Sequence, residues 1–171
     1  MTQQPHEPPK SSLSASQEDY LEAIYRIYLS GREVKPKDIV EALHVAGASV
    51  TNALRALAEK GLITYAPYGG ISLTAQGEAA AEDIYGRHLK LKSFLMNMLL
   101  VGESEANETA CRMEHAVPTH IIDKLVRFAD FIGACPRAGT VWISGFERSC
   151  ARDHDRERCR RCAEAALKKI D

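Results

Sequence analysis

No apolar run in this 171-residue chain approaches the roughly 20 residues that a membrane span requires. The first twelve residues, Met1 to Ser12, are polar and Pro-rich and contain no apolar h-region. They read as a disordered tail rather than a secretory leader. There is no excess of either charge: 22 Lys and Arg against 23 Asp and Glu leave a net charge of −1. Nothing global therefore demands nucleic acid, and any DNA binding must come from a local surface, most economically in a dimer. No internal repeat is visible, which sets repeat architectures aside. No Gly-rich loop of the kind that cradles a substrate is present, which weighs against an enzyme. These absences leave a cytosolic, cytoplasmic globular chain, 45% hydrophobic and 26% charged, with room for one compact domain or two small ones. In that compartment the five Cys argue for metal or redox chemistry rather than structural disulfides.

The positive signals begin with periodicity. Leu21, Ile24, Tyr25 and Tyr28 carry a helical apolar period from about Ser16 to Ser30, with Ser16 as N-cap, Asp19 as its acidic partner and Gly31 as the stop. A short helix is expected over 37–43 after Pro36. A turn at His44-Val45-Ala46-Gly47 precedes a third helix over 48–60, with Val50, Ala53, Leu54 and Leu57 facing inward. Two helices around a tight, Gly-containing turn are the helix-turn-helix signature. Leu62 to Tyr65 and Ile71 to Leu73, turned at Pro67-Tyr68-Gly69-Gly70, form the hairpin that a winged helix adds. Thr74 caps a long helix to about Leu100, whose second half (Leu89, Phe94, Leu95, Met98, Leu99, Leu100) is apolar enough to serve both core and dimer interface. Further helices are expected over 105–116 and 118–132, the latter with Ile121, Ile122, Leu125, Val126 and Phe128 as its apolar stripe.

The most informative stretch is Cys111-Arg112-Met113-Glu114-His115. On a helix, positions i, i+3 and i+4 share a face, so Cys111, Glu114 and His115 converge. A thiol, a carboxylate and an imidazole together form a transition-metal donor set of mixed softness. The alternative is a small buried Cys beside a solvated Glu-His pair.

From about Ser14 to Ile132 the chain resembles the diphtheria-toxin-repressor and manganese-transport-regulator family of metal-dependent repressors. The resemblance rests on Glu18-Asp19-Tyr20-Leu21-Glu22, Ala48-Ser49-Val50-Thr51, Gly61-Leu62-Ile63, Arg87-His88 and Ala110-Cys111-Arg112-Met113-Glu114-His115. It implies a mainly α fold with a winged helix-turn-helix DNA-binding domain (14–74) and a helical metal-binding and dimerisation domain (75–132), to which composition adds a disordered tail (1–13) and a Cys-rich C-terminal extension (133–171). Carried over by position, it implies Asp19, Glu22, His88, Cys111, Glu114 and His115 as ligands. That set suits Fe(II), Mn(II) or Zn(II). Three departures matter. Manganese-selective members resemble the chain at Asp19 and Glu22 but have a carboxylate in place of Cys111. Iron-responsive members share the Cys but usually have Met at position 19. The second, ancillary site of the iron-responsive members is also altered, with Lys92 where a carboxylate and Asn107 where a His is expected. The thiolate shifts preference from Mn(II) toward Fe(II), Zn(II) or Co(II). The 39 residues after Ile132 are too few for the SH3-like domain of iron-responsive members.

The extension holds Cys135, Cys150, Cys159 and Cys162, with His154 as a substitute ligand. Cys159-x-x-Cys162 has knuckle spacing, so a second metal site, structural Zn(II) or an iron–sulfur cluster, competes here with a disulfide or thiols. From Arg148 to Lys169 eight Lys and Arg face four Asp and Glu.

The functional expectation is a repressor of metal-uptake or homeostasis genes. Fe(II) or Mn(II) would clip the two domains of a homodimer into the form that binds a double-stranded operator. Ser49, Thr51, Asn52 and Arg55 are the exposed base-reading candidates of the recognition helix. Lys35, Lys37, Lys60 and Tyr68 are candidates for the DNA backbone, each Lys being otherwise a solvated charge. The rival readings are a winged-helix regulator sensing another ligand, or redox state through the C-terminal Cys, and a metalloenzyme.

Overall fold

The computed structural model describes residues 13–66 and 70–134, together with residues 157, 160, 161 and 164. The chain divides into two compact units, residues 1–86 and 87–171, with the boundary inside one long helix. The described residues are mainly helical, with six helices and one two-stranded wing. None of these helices is long and apolar enough to cross a membrane.

The first unit runs α1 (Ala15–Leu29), α2 (Pro36–Leu43), α3 (Gly47–Glu59), β1 (Ile63–Tyr65) and β2 (Ile71–Leu73), then enters α4 (Ala75–Met98). The start of α1 corrects the expected cap. Ser14, not Ser16, closes the helix: the Gln17 N–H donates to Ser14 Oγ at 3.3 Å, and the Ser14 N–H donates to Gln17 Oε1 at 3.2 Å. This reciprocal capping box satisfies two backbone donors, which Ser16 with Asp19 does not do. Asp19 is thereby left out of capping.

Pro36 opens α2 at the first helical position, where its missing N–H has no partner to lose. Helix α2 ends at His44, whose φ of 54° is left-handed, and the chain turns directly into α3. After α3, Gly61 takes φ 71°, a conformation that costs glycine little, and the Leu62 N–H donates to Leu57 O at 3.0 Å. The wing is antiparallel, pairing Ile63 with Leu73 and Tyr65 with Ile71, and Val34 adds an isolated bridge to Ile71. Its tip, residues 67–69 with Tyr68, lies outside the described residues.

Thr74 joins wing to helix. Its hydroxyl donates to Gly61 O at 2.7 Å and accepts from the Gly77 N–H at 3.0 Å. Gly77 is there because the wing backbone passes so close: a Cβ at this position would lie 1.7 Å from Leu62 O. The core beneath is built from every element of the unit, with Leu21, Ile24, Ile39, Val50, Leu54 and Leu57 fully buried and Ala81 and Ile84 closing it from α4. The inward residues expected of α3 are therefore the ones that pack.

The second unit contains the rest of α4, α5 (Glu103–Glu114) and α6 (Thr119–Ala134). Its core is smaller: Leu91, Leu95, Ala106, Ala110 and Ile122, with Met96, Val101, Met113, Val117 and Leu125 against them. Lys90 pairs with Asp123 and Lys92 with Glu103, both at 2.9 Å, tying α4 to α6 and to the start of α5. Two residues of the stripe expected on α6, Ile121 and Phe128, are uncovered. Phe128 is 51% and Phe131 67% exposed, and Leu89, Leu99, Leu100 and Ile121 are also exposed. Helical periodicity marks a face as apolar but does not say what covers it.

Candidate metal centre and DNA-facing helix

Helix α5 carries the candidate ligand cluster at its C-terminal end. Its N-terminal turn is acidic (Glu103, Glu105) and its last turn basic (Arg112), the order the helix dipole favours. The helix ends at Glu114, with His115 as the C-cap and Pro118 close behind. Cys111, Glu114 and His115 come together as their spacing requires: one ligand atom from each lies within 4.8 Å of the others. Cys111 and His115 are half-buried, while Glu114 is fully buried.

His88 joins them from α4. The ring is 3% exposed, with Nδ1 2.8 Å from Glu114 Oε2 and Nε2 3.1 Å from Asn107 Oδ1. The neighbouring Arg87 donates from Nη1 to the Glu114 carbonyl at 3.0 Å, placing a cation on the last carbonyl of α5. Glu114 is therefore held by its main chain and by one carboxylate oxygen. The other oxygen, Oε1, is buried without a hydrogen-bond partner among the described residues and stands 3.6 Å from His115 Nε2. Burying a polar oxygen without a partner costs on the order of 1–3 kcal/mol, and more when the group is charged. Soft and borderline donors around such an oxygen are the donor set of a divalent transition metal, so the residues present fit the group.

The two remaining ligand candidates lie in the first unit. Asp19 and Glu22 sit three apart on α1, and so share a face; Asp19 is half-buried and Glu22 is 5% exposed. Arg26 Nη1 approaches Glu22 Oε1 at 3.8 Å.

Of the DNA-contact candidates, Lys35, Lys37, Ser49, Asn52, Arg55 and Lys60 are exposed. Lys35 already pairs with Glu33 at 3.1 Å. Thr51 departs from expectation: it is half-buried, and its hydroxyl donates to Gly47 O at 3.1 Å, one turn back. The second-metal candidates Cys135, Cys150, Cys159 and Cys162 lie outside the described residues, as does His154.

Sequence reasoning missed the part played by Asn107. It read that position only as a lost ligand, although the i, i+4, i+7 spacing of Asn107, Cys111 and Glu114 places all three on one helix face.

Comparison with known proteins agrees with this geometry. Residues 12–71 match the N-terminal DNA-binding domain of the iron-dependent repressors, and residues 74–143 match their metal-binding and dimerisation domain. An uncharacterized HTH-type transcriptional regulator of Methanocaldococcus jannaschii is 37% identical over 119 residues, covering 69% of this chain and 95% of that protein. The HTH-type transcriptional regulator MntR of Lysinibacillus sphaericus is 33% identical, covering 64% of this chain and 78% of that one. Among solved structures, a manganese-dependent transcriptional repressor in complex with manganese superposes with a TM-score of 0.62 at 30% identity, covering 71% of this chain. The chain spans 56% of the length of that solved relative. The chain belongs to the iron-dependent repressor (diphtheria-toxin-repressor and manganese-transport-regulator) family, whose members are metal-dependent, DNA-binding transcriptional repressors rather than enzymes.

Proposed function

We propose that this chain is a homodimeric repressor of metal-uptake or homeostasis genes, in which Asp19, Glu22, His88, Cys111, Glu114 and His115 form one regulatory centre for Fe(II) or Mn(II). The observation that carries this reading is the buried Glu114, with an unpartnered Oε1 beside Cys111 and His115. Asp19 and Glu22 on one side and His88, Cys111, Glu114 and His115 on the other would hold a divalent ion, which would supply the positive charge that offsets their carboxylates.

The chain's own residues do the rest. Carboxylates from Asp19, Glu22 and Glu114 drawn to one centre repel each other unless that charge is offset. Metal-free protein therefore leaves the DNA-reading part unrestrained, and affinity for the DNA-competent arrangement becomes coupling free energy for operator binding. In the dimer, two copies of α3 present Ser49, Asn52 and Arg55 to successive major grooves about 34 Å apart. Lys35, Lys37, Lys60 and Tyr68 address phosphates. The half-buried Thr51 donates its hydroxyl proton to Gly47 O, which leaves its methyl group and the acceptor side of the hydroxyl for DNA. The exposed Leu89, Phe128 and Phe131 are candidates for the surface that the second copy covers.

Cys111 tilts the preference toward iron, because a thiolate suits Fe(II) better than Mn(II). Substitution with Co(II) tests this ligand set. The account expects a sulfur-to-cobalt charge-transfer band that disappears in Cys111→Ser, with Mn(II) affinity in that variant maintained or raised. A cobalt spectrum identical in both proteins would remove Cys111 from the centre.

A further inference from the structure

We propose that Asn107 is a positioning residue that selects the metal-binding nitrogen of His88; this rests on the metal reading above and deepens it. An imidazole has two nitrogens and, when neutral, one proton. Which nitrogen is left to bind a metal is set by the hydrogen bond the other one makes. Here Asn107 Oδ1 is 3.1 Å from Nε2, while Nδ1 is 2.8 Å from Glu114 Oε2. In the proposed metal-bound state the amide oxygen accepts the Nε2–H, and Nδ1, which without metal lies at hydrogen-bond distance from Glu114 Oε2, is the nitrogen left for the ion.

The clamp is built into one helix. Asn107, Cys111 and Glu114 occupy i, i+4 and i+7 of α5, about 10 Å from first to last along the axis. The His88 ring lies lengthwise over that face, held at both ends by side chains from the same helix. The ring is 3% exposed, so water has little part in deciding its tautomer. The choice of an amide also has a chemical consequence. A neutral oxygen fixes the proton on Nε2 without adding negative charge, in a centre that already gathers three carboxylates and a thiol. An imidazole at the same position would be a competing ligand. Position 107 thus reads as support for the centre, and His88 is directed inward to it rather than to an ancillary ion. Lys92, paired with Glu103 at 2.9 Å, is likewise turned to a structural use.

Such partners of ligating imidazoles typically contribute 10–100-fold to metal affinity. The test uses the full chain loaded with Zn(II), which is diamagnetic, and reads long-range proton–nitrogen correlations of the His88 ring by NMR. The proposal expects Nδ1 coordinated and Nε2 protonated. It further expects Asn107→Ala to lose 10–100-fold in Zn(II) affinity by chelator competition, and Asn107→Asp, which retains an acceptor, to recover most of it. Unfolding midpoints of the metal-free variants separate this loss from a failure to fold, and the wild-type NMR result needs no variant. Coordination through Nε2, or an Asn107→Ala variant with unchanged affinity and tautomer, would overturn the proposal while leaving the metal centre standing. Wild-type protein that binds no Zn(II) at this centre, with Glu114→Gln indistinguishable from it, would instead overturn the metal reading itself.

Discussion

The two halves of this chain differ in how much apolar surface they bury, although both bury carboxylates: Glu18 and Glu22 in the first, Glu114 beside His88 in the second. In the first unit fifteen apolar residues form one buried cluster spanning every element, and the wing is anchored by backbone packing so close that residue 77 has to be glycine. Among the described residues of the second unit, five apolar residues form the buried cluster, while His88 and Glu114 are sealed inside and large apolar side chains face out. The unit with the larger apolar cluster has more burial of its own to hold its shape, even though it also buries Glu18 and Glu22. The unit that buries an imidazole and a carboxylate, and exposes Phe128 and Phe131, is incomplete until other groups meet those surfaces. The contrast separates a unit made to present a helix from a unit made to respond.

Four substitutions test that contrast, in order of decreasing effect. Gly77→Ala attacks the first unit where its backbones touch. A Cβ 1.7 Å from Leu62 O forces the wing away from α4, so a loss of about 3 kcal/mol or more is expected, far above the ordinary cost of a surface substitution. Thermal unfolding checks it, and a change below about 1 kcal/mol would mean that the wing yields freely. Glu114→Gln attacks the second unit in the opposite sense. Metal affinity should fall by more than about 100-fold, beyond what loss of a supporting partner typically costs. Stability of the metal-free protein should change little, because Gln keeps an oxygen that can face His88 in a side chain of the same size. Isothermal titration and denaturant unfolding of the same sample read both quantities.

Arg55→Ala should weaken operator binding by about 1–3 kcal/mol while leaving metal affinity intact. Equal operator affinity would take Arg55 off the contact surface. The smallest effect belongs to Glu103. Its hydrogen bond to Lys92, then the charge of Lys92, hold its carboxyl below the ordinary value of 4.5. The depressed group contributes stability that is present above 4.5 and is lost as pH falls through the lower folded value. Glu103→Gln should therefore flatten the acid limb of the stability curve slightly and leave neutral pH nearly unchanged. Unfolding midpoints measured from pH 7 downward report it.

The first unit was the more legible in sequence for the same physical reason. Periodicity reports burial against the chain's own elements, so Val50, Leu54 and Leu57 were identified correctly, and the wing strands fell where the alternation placed them. The cap of α1 was misplaced because Ser14 and Ser16 both precede a polar residue by three. Only the reciprocal bond with Gln17 decides between them. In the second unit the same periodicity marked α6 as apolar without revealing that Phe128 is open. The cluster of Cys111, Glu114 and His115 could be read from spacing alone, since helix geometry fixes it. The clamp of Asn107 on His88 could not, because it depends on how α4 and α5 pack.

The central claim is that metal and DNA affinity are coupled through these two units. The measurement that tests it most directly is an anaerobic operator-binding titration of metal-stripped protein, with Fe(II), Mn(II) or Zn(II) added in turn and DNA from upstream of the protein's own gene as probe. The account predicts at least a tenfold rise in affinity with one of these metals, about 1.4 kcal/mol of coupling, abolished in Glu114→Gln. Equal DNA affinity with and without metal would contradict it and leave the buried Glu114 centre without a regulatory role.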